Sequence, residues 1–256
     1  SVYTESGQGK IGYSDSYGQN PLLILAPENE NESFSDPVIF DNGEEYQLFY
    51  AVSNGSTTSI HQAQSSDFLT WTTVGQIAEL GDDWDSTAMI PSAIYFEDEE
   101  LKLLYSAFDG KSWRIGELSS SDEGRSWTRS DDPWFDLGKA GNWDDSGVKD
   151  GFVLEDTETR YLYYSGFDGD SWQIGVVDLG SDASLDSRES IALSGEGLFY
   201  NSGVERAIGY YDEDTEQFNL FYAGMQDSIA RIGRAIGSDA SVLRPLYNTP
   251  NLGDYL

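Results

Sequence analysis

Cysteine is absent from this 256-residue chain, which excludes disulfides, thiol chemistry and any cysteine-based metal site. Histidine occurs once, at His61, so a multi-histidine metal site is impossible and a Ser-His-Asp triad has a single candidate base. Basic residues are scarce as well: 14 Lys and Arg stand against 46 Asp and Glu, a formal net charge of −32. Phosphate binding runs on clustered Lys and Arg, so nucleic acid and anionic membranes are not expected as partners. No apolar run approaches the roughly 18 residues that a membrane-spanning helix needs. A charged-then-apolar leader is also missing, and Ser1 is read as a processed or truncated start.

What is present is the composition of a folded chain, with 38% hydrophobic and 14% aromatic residues. The length allows one large domain or two ordinary ones, and a single domain over 1–256 is expected. Acidic residues are spread along the chain, as in EDEE at 97–100 and DEDTE at 212–216, and not gathered in a tail. Such a pattern is expected of a solvated surface. It suits a secreted protein of a halophilic or marine setting, and a monomer is expected.

One unit recurs along the chain. Ile followed by Gly or His stands at Ile11-Gly12, Ile60-His61, Ile115-Gly116, Ile174-Gly175 and Ile232-Gly233, at successive spacings of 49, 55, 59 and 58 residues. Ten residues before the last four of these is a tyrosine: Tyr50, Tyr105, Tyr164 and Tyr222. Each closes an apolar run (QLFY, KLLY, YLYY, NLFY), and between Tyr and Ile lies hairpin chemistry such as AFDGKSW or GFDGDSW. A further strand precedes each Tyr, and a Ser-Asp turn follows each Ile at Asp67, Asp122, Asp182 and Asp239. Four antiparallel strands, a to d, repeated at roughly 50 residues predict an all-β chain folded as a β-propeller. VYTES, KIGYSDS and LLIL supply strands b, c and d of a further unit, and the C-terminal TPNLGDYL is expected to supply its strand a, which makes five blades. A two-sheet sandwich does not account for the fixed Tyr-to-Ile interval. Ser120 to Trp127, SSDEGRSW, resembles the Asp-box turn of sialidases, a structural hairpin element.

Where a repeated position changes its residue, function is the better explanation. Counting 14 residues back from each strand-b tyrosine, with two more in the last unit, gives Asp36, Pro91, Asp150 and Arg206 on strand a. Glu205 lies one residue before Arg206, and its counterparts are Lys149, Ile90 and Ser35. Carboxylates converging from separate strands raise one another's pKa and suit acid–base work, whereas single ones can simply cap strand starts. Regular alternation lets only one of Glu205 and Arg206 face the channel unless a bulge turns the chain. Trp84-Asp85 and Trp143-Asp144 match each other in d-to-a connections, either as packing aromatics or as rim platforms for a ring-shaped ligand.

These residues resemble glycoside hydrolase family 43 and its five-bladed relatives, the arabinanases, xylosidases, invertases and levansucrases of families 43, 32 and 68. SDPVIF resembles the motif of the general base, which implies Asp36; VKDGFVL that of the carboxylate tuning the acid, which implies Asp150; and SGVERAIGYY that of the general acid, which implies Glu205. MIPSAIYF resembles a second-blade motif with Met89 and Ser92 in place of its Trp and Asp, while Gly151 and Ala207 replace prolines of the others. The resemblance implies inverting hydrolysis of furanoside, pentose or fructose glycans, with catalytic carboxylates roughly 6.5–9.5 Å apart. It implies sugar contacts from Trp84, Trp143, Phe34 and Phe199, and Arg206 is a candidate anion anchor. The family's metal-associated histidine has no counterpart, so no metal and no cofactor are expected. A non-catalytic propeller that binds a carbohydrate or a partner remains the alternative.

Overall fold

The computed structural model describes residues 2–5, 8–13, 22–180, 185, 187–190, 193, 203–226 and 229–246. Among them there is no helix, and the chain divides into two compact units, Ser1–Asp136 and Leu137–Leu256. Phe199, Asp182 and the C-terminal TPNLGDYL lie outside the described residues.

The first unit opens with β1 (Val2–Glu5), β2 (Gln8–Tyr13) and β3 (Leu22–Leu25), an antiparallel sheet in that order. It matches the strands b, c and d expected at the N-terminus. A four-stranded meander follows, β4 (Ser33–Asp41), β5 (Tyr46–Ser53), β6 (Thr58–Ser65) and β7 (Thr72–Gln76). Next comes β8 (Ala88–Glu97), β9 (Glu100–Phe108), β10 (Trp113–Ser120) and β11 (Thr128–Arg129). One parallel pairing, Thr58 with Ala88, joins the two meanders at β6 and β8. The second unit holds β12 (Gly147–Glu155), β13 (Arg160–Phe167), β14 (Trp172–Asp178) and β15 (Glu189–Ser190). Its other sheet is β16 (Val204–Asp212), β17 (Gln217–Gln226), β18 (Ile229–Asp239) and β19 (Val242–Pro245).

The register explains why Tyr and Gly recur. Tyr105, Tyr164 and Tyr222 of strand b pair directly with Gly116, Gly175 and Gly233 of strand c. Each tyrosine ring lies across its glycine, so that a Cβ there would run into the ring. In the first meander His61 takes the glycine's place, and the Tyr50 and His61 rings sit 6.0 Å apart, tilted.

The recurring Trp-Asp pairs complete the same device. Trp84 stacks on Tyr105 at 5.9 Å, and Trp143 on Tyr164 at 5.5 Å. Each tyrosine hydroxyl donates to the following aspartate, Tyr105 to Asp85 Oδ2 at 3.4 Å and Tyr164 to Asp144 Oδ2 at 2.9 Å. An arginine near strand d closes on the same oxygen: Arg129 Nη1 at 2.7 Å from Asp85 and Arg188 Nη1 at 2.8 Å from Asp144. Asp85 and Asp144 are fully buried, so these are interior ion pairs, and burial pushes both tyrosine hydroxyls well above their usual pKa. Among the described residues, Oδ1 of both aspartates finds no donor and instead lies against the Cα of Gly81 or Gly138, where a Cβ has no room.

Short polar and acidic side chains also shape the turns. Asn54, Asp109 and Asp168 each accept two backbone N–H bonds at the b-to-c loop, where Gly55, Gly110 and Gly169 take positive φ. The Asp-box behaves as expected. Asp122 accepts from the Ser126 backbone and hydroxyl at 2.8 and 2.6 Å, while Trp127 packs edge-on to Phe49 at 5.4 Å. Gln47 and Gln62, both buried, donate to the Glu123 and Gly124 carbonyls, which ties this turn to the neighbouring meander.

Two outcomes follow. Arg188→Met leaves Asp144 buried without its cation, and chemical denaturation is expected to show a loss of about 3–5 kcal/mol. The hydrogen bonds from Ser126 and its neighbours hold the Asp122 carboxyl down at about 2, against an ordinary 3.8. A depressed folded pKa stabilises above the unfolded value, and that contribution is lost as pH falls from 3.8 towards 2. Carboxyl NMR titration is expected to place the Asp122 midpoint near 2, and Ser126→Ala to raise it.

Candidate active site

Among the described residues, the four strands a, β4, β8, β12 and β16, each carry one extra residue at the strand-b tyrosine. Pairing runs regularly to Ser35–Ala51 and resumes at Val38–Phe49, so Asp36 and Pro37 together face Tyr50. The same step occurs between Lys149–Ser165 and Phe152–Tyr163, and between Glu205–Ala223 and Ile208–Phe221. The residue after the last regular pair is left-handed in all three strands: Asp36 at φ 47°, Asp150 at 54° and Arg206 at 54°. Aspartate tolerates this conformation through its short polar side chain, whereas for arginine it is strained. On β8 the shift falls between Pro91 and Ala93, and the proline ring holds φ negative.

The bulge removes the difficulty that alternation poses. Lys149 and Asp150 are neighbours in sequence, yet Lys149 Nζ lies 3.4 Å from Asp150 Oδ2. The same ammonium lies 2.6 Å from Glu205 Oε2, which crosses from β16 at the equivalent register position. Ser165 Oγ donates to Asp150 at 3.1 Å and accepts the Arg206 backbone N–H at 2.9 Å, so the two bulges share one hydroxyl. The indole of Trp172 backs the ammonium at 4.2 Å. Gly203 approaches the Trp172 backbone in a parallel bridge at φ +114°, a place where a Cβ would meet Trp172 atoms at 2.7–2.9 Å. This close approach brings β16 beside the β13–β14 hairpin.

Asp150, Glu205 and Lys149 side chains are only 19, 16 and 12% exposed. Burial pushes the Asp150 carboxyl above its usual range; Lys149 and Arg206 pull it down, Glu205 pushes it up, and the Ser165 hydrogen bond pulls it down. A half-buried carboxyl that holds its proton more tightly than an ordinary aspartate can donate it, and an ion-paired carboxylate beside it can balance the charge.

The other sequence candidates are placed differently. Asp36 occupies the bulge of β4 in the first unit, half-buried. Phe34 is buried against Tyr50 with ring centres 5.0 Å apart, and Trp84 is buried with its Nε1 donating to the Asp131 carbonyl at 2.8 Å. Trp143 is half-buried and lies across Gly166 and Gly175. Phe34 and Trp84 thus pack in the interior, while Trp143 packs on Tyr164 and two glycines with part of its surface exposed. Arg206 is exposed beside Asp150. Lys149, Ser165 and Trp172 were not singled out for a role by sequence reasoning. The signal for Lys149 was the departure from Ile90, its counterpart in the preceding meander.

No protein-family model matches the chain, and no curated protein is similar to it in sequence. Solved structures are. A glycoside hydrolase matches 94% of this chain and 78% of its own at TM-score 0.69 and 14% identity. A thermostable family-43 glycoside hydrolase matches 89% and 76% at 0.67 and 16%. An arabinanase of Bacillus subtilis matches 80% and 72% at 0.63 and 16%. The chain thus has the fold of the family-43-like propellers.

The left-handed bulge gives a stability outcome. Arg206→Ala keeps the strained conformation and Arg206→Gly relieves it, while both remove the guanidinium. The glycine variant is expected to be more stable than the alanine variant by about 1–2 kcal/mol in urea unfolding.

Proposed function

We propose that this chain is a glycoside hydrolase acting on pentose-type glycans, built on five propeller blades. The observation that carries the reading is the left-handed bulge repeated at one register of three strands a, where it presents Asp36, Asp150 and, one residue earlier, Glu205. Left-handed residues other than glycine, recurring at one register, cluster at functional sites, which supports this reading. In this reading Asp36 is the general base that activates water, the Asp150–Glu205 pair supplies the proton to the leaving oxygen, and the anomeric configuration inverts. The arabinanase among the similar structures supports an arabinose- or xylose-type substrate. The acidic surface suits secretion into a saline medium.

A second reading, a non-catalytic carbohydrate-binding propeller, draws on one feature: the Lys149–Glu205 ion pair at 2.6 Å occupies the carboxylate to which the family resemblance gives the proton.

A screen of aryl-pentosides and plant or marine glycans at low and high salt separates the two. Turnover is expected, with Asp36→Asn reducing kcat by about 10²–10⁴-fold. Activity that survives Asp36→Asn removes that residue from the base role. Saturable glycan binding without turnover favours the second reading.

A further inference from the structure

Ser165 follows the strand-b tyrosine Tyr164, and the residue at this place varies between meanders: Ala51 after Tyr50, Ser106 after Tyr105 and Ala223 after Tyr222. Alanine therefore satisfies the same packing, and the meander does not require a hydroxyl here. Ser165 is fully buried, where a hydroxyl is costly unless it is hydrogen-bonded. Its two partners lie in different sheets. Oγ donates to Asp150 Oδ2 on β12 at 3.1 Å and accepts the backbone N–H of Arg206 on β16 at 2.9 Å.

The choice between serine and alanine follows the donor on the next strand a. In chain order, serine precedes the bulge residues that have an N–H, Asp150 and Arg206, whereas Ala51 precedes Pro91, which has none. The ladder skips Arg206 between the Glu205–Ala223 and Ile208–Phe221 pairs, so its N–H needs an acceptor from elsewhere. That N–H belongs to the peptide joining Glu205 to Arg206. Holding it fixes the plane of that peptide, and with it the left-handed turn at Arg206 and the direction in which the Glu205 side chain leaves the strand. A peptide N–H can only donate, so the serine oxygen accepts here and keeps its own proton for Asp150. The charged groups at this point are Lys149 and Asp150 on β12 and Glu205 and Arg206 on β16, with the Trp172 indole on β14. They supply attraction, whereas the hydroxyl supplies direction.

We propose that Ser165 is a positioning residue of the Asp150–Glu205 pair, its hydroxyl holding one carboxylate directly and the other through the peptide that follows it. This deepens the hydrolase reading and rests on it for its catalytic consequence. The two carboxylates are set from one buried oxygen, by two hydrogen bonds that reach strands of different sheets. A hydrogen bond donated to Asp150 also favours its charged form, and so opposes the burial that pushes this carboxyl up.

Ser165→Ala is expected to fold, since Ala51 and Ala223 occupy this place in other meanders. In the unliganded variant, carboxyl-carbon NMR titration is expected to show Asp150 taking up its proton at higher pH than in the wild type. The Arg206 amide is expected to exchange with solvent faster. Ser165→Thr keeps the hydroxyl and is expected to keep both values near those of the wild type. An unmoved Asp150 midpoint with an unmoved Arg206 amide in Ser165→Ala overturns the proposal. Equal displacement in the Thr and Ala variants assigns the effect to packing and overturns it as well. These readouts need no substrate, so a failure of the hydrolase reading is seen separately, as a wild-type protein without turnover. Where turnover occurs, Ser165→Ala is expected to lower kcat on pentosides by about 10²-fold with KM little changed. An unchanged kcat removes Ser165 from the positioning role.

Discussion

The strand-b tyrosine laid across a strand-c glycine is the contact on which three of the meanders depend, those of Tyr105, Tyr164 and Tyr222. It fixes the register of two strands, because a shift by one residue would replace the glycine with a side chain that has no room. In the meanders of Tyr105 and Tyr164 it also extends to the other two strands, through a stacked tryptophan ahead of strand a and a buried aspartate clamped by an arginine near strand d. A buried ion pair is weak evidence for net stability, but removing either partner leaves a stranded charge, so the two are kept together. The tryptophan, aspartate, tyrosine and arginine thus specify which four strands belong together.

The bulge on strand a sits opposite the same tyrosine. Core and site are therefore consecutive layers of one construction: the ring below sets where the ladder skips, and the skipped residue is left-handed and turned towards the site. In the second unit this brings Lys149, Asp150 and Glu205 within ion-pair distance without a loop to carry them. Sites held on strands retain their geometry better than sites on loops.

The repeat was legible because tyrosine, glycine and the turn aspartates serve every unit and so recur at fixed intervals. The identities Asp36, Asp150 and Glu205 were legible as departures from it. The bulge was not, because a left-handed Asp or Arg leaves no mark in composition; only the two-residue facing of Tyr50, Tyr164 and Tyr222 shows it. The orientation of Trp84 and Trp143 was ambiguous for a related reason, since an aromatic in a connection reads the same whether it turns into the sheet or out to a ligand. Arg129 and Arg188 each follow their tyrosine by 24 residues, a periodicity visible once their aspartate partners are known.

The bulge also separates two kinds of inheritance. Its place comes from the ladder and the aromatic beneath it, and Asp, Asp and Arg occupy it on β4, β12 and β16, the arginine at a cost in backbone strain. A change in one codon at that position exchanges an acid for a base without disturbing the core. A lineage of such sheets can therefore explore new surface chemistry while its architecture stays under separate selection.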